Sequence, residues 1–486
     1  MTKHIKDLNP AQLWKFFHDL TQIPRPSKKE DKVVEYVKKF GEDRGLATLI
    51  DDTGNVIIKK PATPGMEDRK VTLLQGHLDM VPQKNSDKDH DFEKDPIETF
   101  IDDEWVCAKG TTLGADNGIG VAAALAILDS DELVHGPVEA LFTIDEEAGM
   151  TGAFGLEKGV LDADIMLNMD SEDEGELYVG CAGGQDANIS FQFNQVDIPS
   201  DNVAFRVFVS GLKGGHSGLD IALGRGNANK LLFRFINYAT QELGAGIAHI
   251  NGGGLRNAIP REAEAILTIK PDKKDKFDQA VKKYESIFKN ELSAVEPGLS
   301  FGLQSTDRPA KKIDPDTQER LIKGILACPN GVMRMSNSMR GLVETSTNLA
   351  SVNTDEKLIT IKCLMRSSVD SSRDELADMI GSVFMLAGAE VTFDGAYPGW
   401  KPDMDSEILT VMKNVYKELY GKTPEVSAIH AGLECGLIGG AYPKLDMISF
   451  GPTIKYPHSP DEKVNIESVN KFWVFLVETM KNIPVR

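Results

Sequence analysis

The sequence has few cysteines, and their spacing is informative. Five occur in 486 residues, an odd number, and no two of them form a CxxC pair. This pattern is untypical of a disulfide framework or a zinc knuckle, and it predicts reduced thiols in a cytoplasmic protein. The cysteines are Cys107, Cys181, Cys328, Cys363 and Cys435.

Long apolar runs are also missing. The longest, Val121–Leu128, has eight residues, whereas a membrane-spanning helix needs about 20. The opening segment, Met1–Pro10, is polar and lacks the apolar stretch of a signal peptide. We therefore expect no membrane partner and a cytoplasmic location.

Positive charge is scarce as well. Lys and Arg number 54 against 74 Asp and Glu, which gives a net charge of −20. Nucleic acids and anionic membranes are bound by basic surfaces, so this balance argues against both as partners. Apolar residues make up 41% of the chain and charged residues 26%, as in ordinary globular proteins.

The length exceeds what one hydrophobic core usually holds, so more than one domain is expected. Short apolar strands alternate with helices in the first part of the chain, which is typical of an α/β fold with a mostly parallel mixed sheet. The middle has the texture of a separate α+β domain, and the α/β pattern then resumes. We predict a discontinuous catalytic domain, 1–186 and 401–486, with an inserted domain at 187–400.

Acidic and imidazole side chains follow the predicted strands of the first domain. The strands are predicted at Gly54–Lys59, Val71–Leu78, Val138–Ile144 and Ile165–Met169, with a helix at Gly118–Asp129. Carboxyl ends of parallel strands share one sheet edge, where ligands bind. The candidate side chains near these ends and beyond are His77, Asp79, Asp116, Glu146, Glu147, Asp170 and His458.

A single acid after a strand is more often a solvated turn or a cap than a ligand. Several carboxylates gathered at one place, however, repel one another unless protons or cations neutralise them. Two imidazoles with three carboxylates suit zinc, cobalt or manganese better than calcium or magnesium. The sequence therefore predicts a pair of divalent ions, which requires one shared carboxylate. Of the pair Glu146 and Glu147, one would be a ligand and the other a general base.

The same residues carry a resemblance to the M20 metallopeptidases. His77-Leu-Asp79, Gly114-Ala-Asp116-Asn-Gly118, Glu146-Glu147, Asp170, Gly214-Gly-His216-Ser-Gly218 and Pro457-His458 stand in the order and spacing of that family. Further motifs, including His430-Ala-Gly-Leu-Glu434 and the segment ending at Glu462, resemble the branch that hydrolyses Xaa-His dipeptides. The resemblance extends from the first predicted helix to the last.

The resemblance implies a role for each candidate in the metal site. Asp116 would bridge two ions, with His77 and Asp170 on one ion. Glu147 and His458 would hold the other. Glu146 would activate a water lying between the ions, and Asp79 would support His77. The ions would be zinc, with cobalt or manganese as alternatives.

The resemblance also implies an architecture and a substrate site. The fold would be a zinc-peptidase-like three-layer catalytic domain with an inserted α+β lid, and the lid would build a homodimer. His216, on that lid, would stabilise an oxyanion. Asn257 would contact the substrate, Arg366 would clamp a terminal carboxylate, and Glu434 would meet the substrate amine.

Other interpretations are less well supported. Gly118–Ala123 matches a dinucleotide-binding pattern, with Glu139 downstream, but Asp116 at its mouth would repel a pyrophosphate. The segment Gly215–Gly218 fails as a serine-hydrolase elbow because residue 219 is Leu. The acidic run Ser171–Glu176 lacks the spacing of a calcium loop.

We therefore expect a dinuclear metallo-dipeptidase that acts on small unblocked dipeptides, with Xaa-His preferred. An M20-type deacylase or aminopeptidase acting on other small amides is the first alternative, because spacing does not show the shape of the substrate pocket. A metal-dependent binding protein without turnover is the second alternative.

Overall fold

The computed structural model describes residues 4–486, so Met1–Lys3 of the polar opening segment lie outside the described residues. The chain forms two compact units. The first comprises Met1–Gly180, Pro402–Ala428 and Leu433–Arg486, and the second comprises Cys181–Lys401 and Ile429–Gly432. The second unit thus begins at Cys181 rather than at residue 187. It also takes in the four residues Ile429–Gly432, which lie within the predicted range 401–486 of the first domain.

The strands, in chain order, are β1 (Ala47–Ile50), β2 (Val56–Lys60), β3 (Thr72–His77), β4 (Thr99–Asp102), β5 (Trp105–Ala108), β6 (Val138–Thr143), β7 (Ile165–Asn168), β8 (Glu176–Cys181), β9 (Gly183–Gln192), β10 (Gln195–Asp197), β11 (Val203–Ser210), β12 (Gly215–His216), β13 (Gly246–Gly253), β14 (Ala258–Ile259), β15 (Ala263–Ile269), β16 (Ser300–Thr306), β17 (Lys311–Ile313), β18 (Gly331–Met335), β19 (Val343–Thr354), β20 (Leu358–Ser367), β21 (Glu390–Tyr397), β22 (Glu425–Ile429), β23 (Asp446–Ser449), β24 (Ile454–Lys455) and β25 (Lys463–Asn465).

The α-helices are α1 (Ala11–Thr21), α2 (Asp31–Asp43), α3 (Ala115–Asp129), α4 (Glu146–Gly149), α5 (Thr151–Gly155), α6 (Ala228–Leu243), α7 (Lys274–Leu292), α8 (Pro315–Ala327), α9 (Asp370–Leu386), α10 (Glu407–Tyr420), α11 (Glu434–Ala441) and α12 (Ile466–Lys481). None of the helices within residues 4–486 is long and apolar enough to cross a membrane.

The first unit is built on an eight-stranded mixed sheet in the order β1-β2-β6-β3-β7-β23-β8-β22. Its central strands β6, β3, β7 and β23 run parallel, whereas β1 and β2 pair antiparallel at one edge. Every residue of β3, β6 and β7 is buried, as expected for parallel strands that are covered on both faces. The predicted α/β class with a mixed sheet is confirmed.

Helix α3 is the most deeply buried helix of the first unit. Its alanine-rich sequence is apolar on all sides, and every residue from Asn117 to Leu128 is buried. It packs on α1 and on β3. The helix begins at Ala115, three residues before the predicted start, and this brings Asp116 into its first turn.

The second unit is organised around an antiparallel sheet in the order β16-β11-β15-β13-β19-β20-β9-β21, with β18 paired to β19. Helices α6, α7, α8 and α9 pack on its strands. An apolar core rich in phenylalanine fills the interior, including Phe191, Phe205, Phe235, Phe277 and Phe288. Consecutive strands with helices packed on them agree with the predicted α+β character of this part.

The burial of β3 predicts a large difference between two leucines of the same sheet. Leu74, fully buried in β3, should cost about 2–5 kcal/mol of unfolding free energy when replaced by Ala, because a cavity remains. Leu49 on β1 is 47% exposed, so Leu49→Ala should change it by less than about 0.5 kcal/mol. Urea titration of both variants measures the difference, and equal losses would contradict this packing.

Candidate metal centre and substrate groups

The candidate ligands of the first unit come from five chain segments: the ends of β3, β6 and β7, the start of α3, and the segment between β24 and β25 that carries His458. His77 is the last residue of β3, and Glu146 and Glu147 open α4 directly after β6. Asp170 follows β7, and Asp116 stands in the first turn of α3. Because β3, β6 and β7 are parallel neighbours, their carboxyl ends bring these side chains together.

Asp116 lies between two imidazoles. Its Oδ1 is 3.0 Å from His77 Nε2, and its Oδ2 is 3.3 Å from His458 Nε2. A second carboxylate accompanies each imidazole. Asp170 Oδ1 lies 3.3 Å from His77 Nε2, and Glu147 Oε2 lies 2.9 Å from His458 Nε2. The result is two imidazole–carboxylate groups that share one aspartate.

Both groups are compact enough to hold a metal ion. In each, one ligand atom per residue lies within 4.8 Å of the others. His77, Glu146 and Glu147 satisfy the same distance limit, so distance alone does not separate the roles of the two glutamates.

The surroundings of these atoms fit divalent cations. Each Nε2 can donate at most one proton, yet each faces two carboxylates. Oxygen Oε1 of Glu147 is buried and makes no hydrogen bond among the described residues. Hydrogen bonds to Asp116 and Glu147 raise the pKa of His458 to about 11. This site therefore favours positive charge. Transition-metal ions bound by the two sets of nitrogen and oxygen ligands would supply that charge.

Asp79 is placed to orient both His77 and the glutamates. Its Oδ1 lies 3.3 Å from His77 Nδ1 and accepts a hydrogen bond from Glu146 N at 3.0 Å. Its Oδ2 accepts from Glu147 N at 3.2 Å and from the Ser27 hydroxyl at 2.7 Å. Burial alone would raise the pKa of Asp79, but His77 and these donors lower it to about 2. A fixed negative charge therefore stands behind the candidate ligands.

Glu146 differs from Glu147 in its electrostatic environment. Burial raises its pKa well above the usual range, and the carboxylates of Asp170 and Glu434 add to the rise, although His77 opposes it. Burial, again opposed by His77, also raises the pKa of Asp170, to about 7. An acid with a raised pKa holds a proton more readily, as a group that accepts and returns protons must.

Glu434 belongs to the first unit and is buried in a polar network beneath the sheet edge. Its Oε2 accepts hydrogen bonds from Gln75 Nε2 at 2.6 Å and from Thr143 Oγ1 at 2.7 Å. Its Oε1 is buried without a hydrogen bond among the described residues. Burial, opposed by His77, raises the pKa of Glu434 to about 7. The unpaired Oε1 of Glu434 is thus available to accept a hydrogen bond from a bound molecule.

His216 lies in the second unit, on β12, which pairs with β14. Its Nδ1 accepts hydrogen bonds from the backbone N–H groups of Gly218 at 3.2 Å and Leu219 at 3.1 Å. The ring proton must then reside on Nε2, which leaves that nitrogen as a donor. Burial and the charge of Arg366 lower the pKa of His216, so the ring is held neutral.

Asn257 adjoins His216 through the backbone, since Ser217 N donates to Asn257 O at 2.8 Å. The carbonyls on either side of Asn257 accept hydrogen bonds from Asn348 Nδ2, at 3.0 Å from Arg256 and 2.8 Å from Ala258. Asn348 is thus a buried residue that fixes the Asn257 segment, and the sequence analysis did not identify it.

Arg366 is 6% exposed and donates to the Tyr397 hydroxyl at 3.3 Å, while its Nε makes no hydrogen bond among the described residues. Ser346, its direct partner across β19 and β20, lies 2.7 Å from His430 Nε2. Burial, Arg366 and His216 together lower the pKa of His430 to about 3. Sequence reasoning missed Ser346 and His430, although His430 begins one of the motifs that carried the resemblance.

Comparison with known proteins identifies the family of this chain. Residues 73–482 match peptidase family M20/M25/M40. The chain is 48% identical, over 99% of both chains, to a cytosol non-specific dipeptidase of Escherichia coli strain K12.

Two solved structures are similar to this chain to different degrees. The structure of an aminoacylhistidine dipeptidase from Vibrio alginolyticus is 51% identical, with a TM-score of 0.96 over 100% of this chain and 99% of that one. The aminopeptidase PepT from Bacillus cereus shares the fold alone, at 17% identity and a TM-score of 0.57 over 98% and 99% of the two chains. This chain belongs to peptidase family M20/M25/M40 and is a metallopeptidase related over its full length to dipeptidases.

Proposed function

We propose that this protein is a dinuclear metallo-dipeptidase that hydrolyses unblocked dipeptides and prefers Xaa-His. The observation that carries the proposal is Asp116, whose two oxygens face His77 and His458 at 3.0 and 3.3 Å. The names of the two close relatives, a non-specific dipeptidase and an aminoacylhistidine dipeptidase, support a preference within a broader range.

Two ions would be held by the groups that share Asp116. His77 and Asp170 would complete one site, and Glu147 and His458 the other. When bound, such ions polarise the scissile carbonyl and lower the pKa of the attacking water. Zinc is the expected metal, with cobalt or manganese as alternatives, because the ligands are imidazoles and carboxylates.

Glu146 would move the proton. Its carboxylate takes a proton from the attacking water as the carbon–oxygen bond forms, and returns it to the leaving nitrogen as the carbon–nitrogen bond breaks. Asp79 holds the backbone N–H of Glu146 at 3.0 Å and so fixes the position of the base. The raised pKa of Glu146 favours the first step, because a stronger base takes up the proton more easily.

Groups of the second unit would bind the substrate. The Nε2–H of His216 would donate to the carbonyl oxygen as negative charge develops there. Arg366 would bind the terminal carboxylate through a guanidinium group whose Nε is free among the described residues. Asn257 would contact the peptide, and Glu434 of the first unit would bind the free amine, which distinguishes dipeptides from acylated substrates.

The proposal includes a cytoplasmic location and a homodimer. The location is supported by the cytosolic relative at 48% identity. The homodimer rests on the family resemblance alone.

Metal removal tests the reaction class directly. Chelation should abolish cleavage of β-Ala-His, Gly-His and Leu-Gly, and zinc, cobalt or manganese should restore it. The reason is that the ligand side chains hold the metal ions but cannot themselves polarise the carbonyl or activate the water. The hydrolysis rate of each peptide is measured beside a tripeptide and an N-acetyl amino acid. Cleavage of the acetylated compound alone would overturn the dipeptide assignment in favour of a deacylase. Two bound metals without any cleavage would point to a binding protein.

Replacing the proposed base separates chemistry from metal binding. Glu146→Gln should lower kcat by about 10²- to 10⁴-fold, because the amide cannot accept the proton, while metal content stays at two ions. Rates and metal content are measured together, with exposed Glu157→Gln as the control, which should change neither. Near-normal turnover of Glu146→Gln with both metals bound would refute this mechanism.

The role of the His216 Nε2–H group as a hydrogen-bond donor can be tested separately. His216→Ala should lower kcat by about 10²- to 10³-fold, the usual cost of one oxyanion donor, and leave metal content unchanged. His249→Ala, a half-buried histidine of the same unit, is the matched control and should keep its activity. A parallel loss of metal and activity in His216→Ala would assign His216 a structural role instead.

A further inference from the structure

The loop that carries Asp116 is anchored by one buried carboxylate. Four consecutive backbone N–H groups, those of residues 113 to 116, donate to Glu462. Its Oε2 accepts from Leu113 at 2.7 Å and Gly114 at 2.9 Å, and its Oε1 accepts from Ala115 at 2.8 Å and Asp116 at 3.3 Å. Consecutive backbone amides of this kind form an anion-binding nest, and here the anion belongs to the protein.

Glu462 belongs to the same short segment as His458. The segment runs between β24 and β25, and the N–H of Glu462 closes a turn by donating to Ser459 O at 2.9 Å. His458 has a φ of 59°, in the left-handed region that side-chain-bearing residues rarely occupy. That conformation needs support from its surroundings. Through Glu462, the His458 segment is tied directly to the Asp116 loop.

A different side chain holds the opposite side of this loop. Arg25 is 2% exposed, and its guanidinium donates to the carbonyl of Gly114. It also donates to Leu78 O at 2.8 Å and Asp79 O at 2.9 Å, just beyond His77. Gly114 has a φ of 70°, and a Cβ there would lie 2.6 Å from Arg25 Nη2, so only glycine fits.

Arg25 and Glu462 therefore connect the Asp116 loop to different candidate metal ligands. Arg25 joins the Asp116 loop to the strand end that carries His77, whereas Glu462 joins the same loop to the segment that carries His458. Asp116 and His458 are partners in only one of the two imidazole–carboxylate groups.

We propose that Glu462 is a positioning residue that sets the distance between Asp116 and His458, and thereby the affinity of the ion that these two residues share with Glu147. The inference rests on the proposed dinuclear site. Residues that orient metal ligands typically change metal affinity by about 10- to 100-fold when they are replaced.

A structural role alone would have a different signature. If Glu462 only satisfied backbone amides, its replacement would lower the stability of the metal-free protein and leave the affinity of each site in the folded protein unchanged. The discriminating quantity is therefore the ratio of the two metal affinities rather than activity or stability.

Zinc binding to the metal-free protein, measured by competition with a chromophoric chelator, tests the proposal. Glu462→Gln keeps the shape but exchanges one carboxylate oxygen for an amide that cannot accept. It should bind the first ion as the wild type does and the second about 10- to 100-fold more weakly. Glu462→Asp, which keeps the charge, should fall between the two. Glu467→Gln, at an exposed position on the first turn of α12, should match the wild type.

A double-mutant comparison localises the effect. In a His458→Ala background the second ion has already lost a ligand, so adding Glu462→Gln should change the affinity of the remaining ion by less than about twofold. Equal weakening of both ions by Glu462→Gln alone, or two affinities like those of the wild type, would overturn the proposal. If Glu462→Gln does not fold, the Asp variant decides by the same criteria.

The outcome is separable from that of the proposed function. A wild-type protein that binds fewer than two ions, or that cleaves no dipeptide after metal add-back, would contradict the proposed function itself. A wild-type protein with two ions and chelator-sensitive cleavage, together with an unaltered affinity ratio in Glu462→Gln, would contradict only the role of Glu462.

Discussion

Mutual repulsion among carboxylates at one edge of a buried parallel sheet is the constraint on which the first unit depends. The strands that deliver these groups are buried on both faces, so water cannot screen the charges there as it does at a surface. The imidazoles of His77 and His458 relieve part of the repulsion by facing Asp116 from both sides. Protons or cations must supply the rest of the relief, and this edge is therefore suited to metal binding.

Ligands that repel one another must be held in place, and two buried carboxylates next to them do this. Asp79 accepts the backbone N–H groups of Glu146 and Glu147, and Glu462 accepts those of the Asp116 loop. Buried carboxylates that receive several N–H donors keep one geometry, because each lost bond would leave a buried donor unpaired. Ligand positions are thus set by the backbone and do not depend on flexible side chains alone.

The sequence predicted this edge well because buried parallel strands are short apolar runs whose ends can be read directly. His77 ends such a run, Glu146 and Asp170 each follow one, and the mixed α/β class was predicted from the same pattern. Their catalytic and ligand roles stay predictions.

The sequence did not predict Ser346, Asn348 or His430. Ser346 meets His430 only because the segment 429–432 returns to the second unit, and Asn348 meets the Asn257 segment only because β14 lies beside β19. Such non-local contacts leave no local pattern. Arg25 was missed for another reason, and so was the role of Glu462, although its segment carried part of the resemblance. A single charged residue in a loop has the pattern of a solvated one, and only burial reveals otherwise.

Two adjacent glutamates illustrate how environment, rather than residue type, assigns chemistry at such a site. Glu147 has an oxygen 2.9 Å from an imidazole nitrogen of His458, a geometry that suits a metal ligand. Burial favours the protonated form of Glu146, and the carboxylates of Asp170 and Glu434 add to this effect, although His77 opposes it. The two neighbours are therefore suited to different tasks, Glu147 to hold a cation and Glu146 to exchange a proton. Because both are anchored through Asp79, a change at that aspartate would disturb the two roles together.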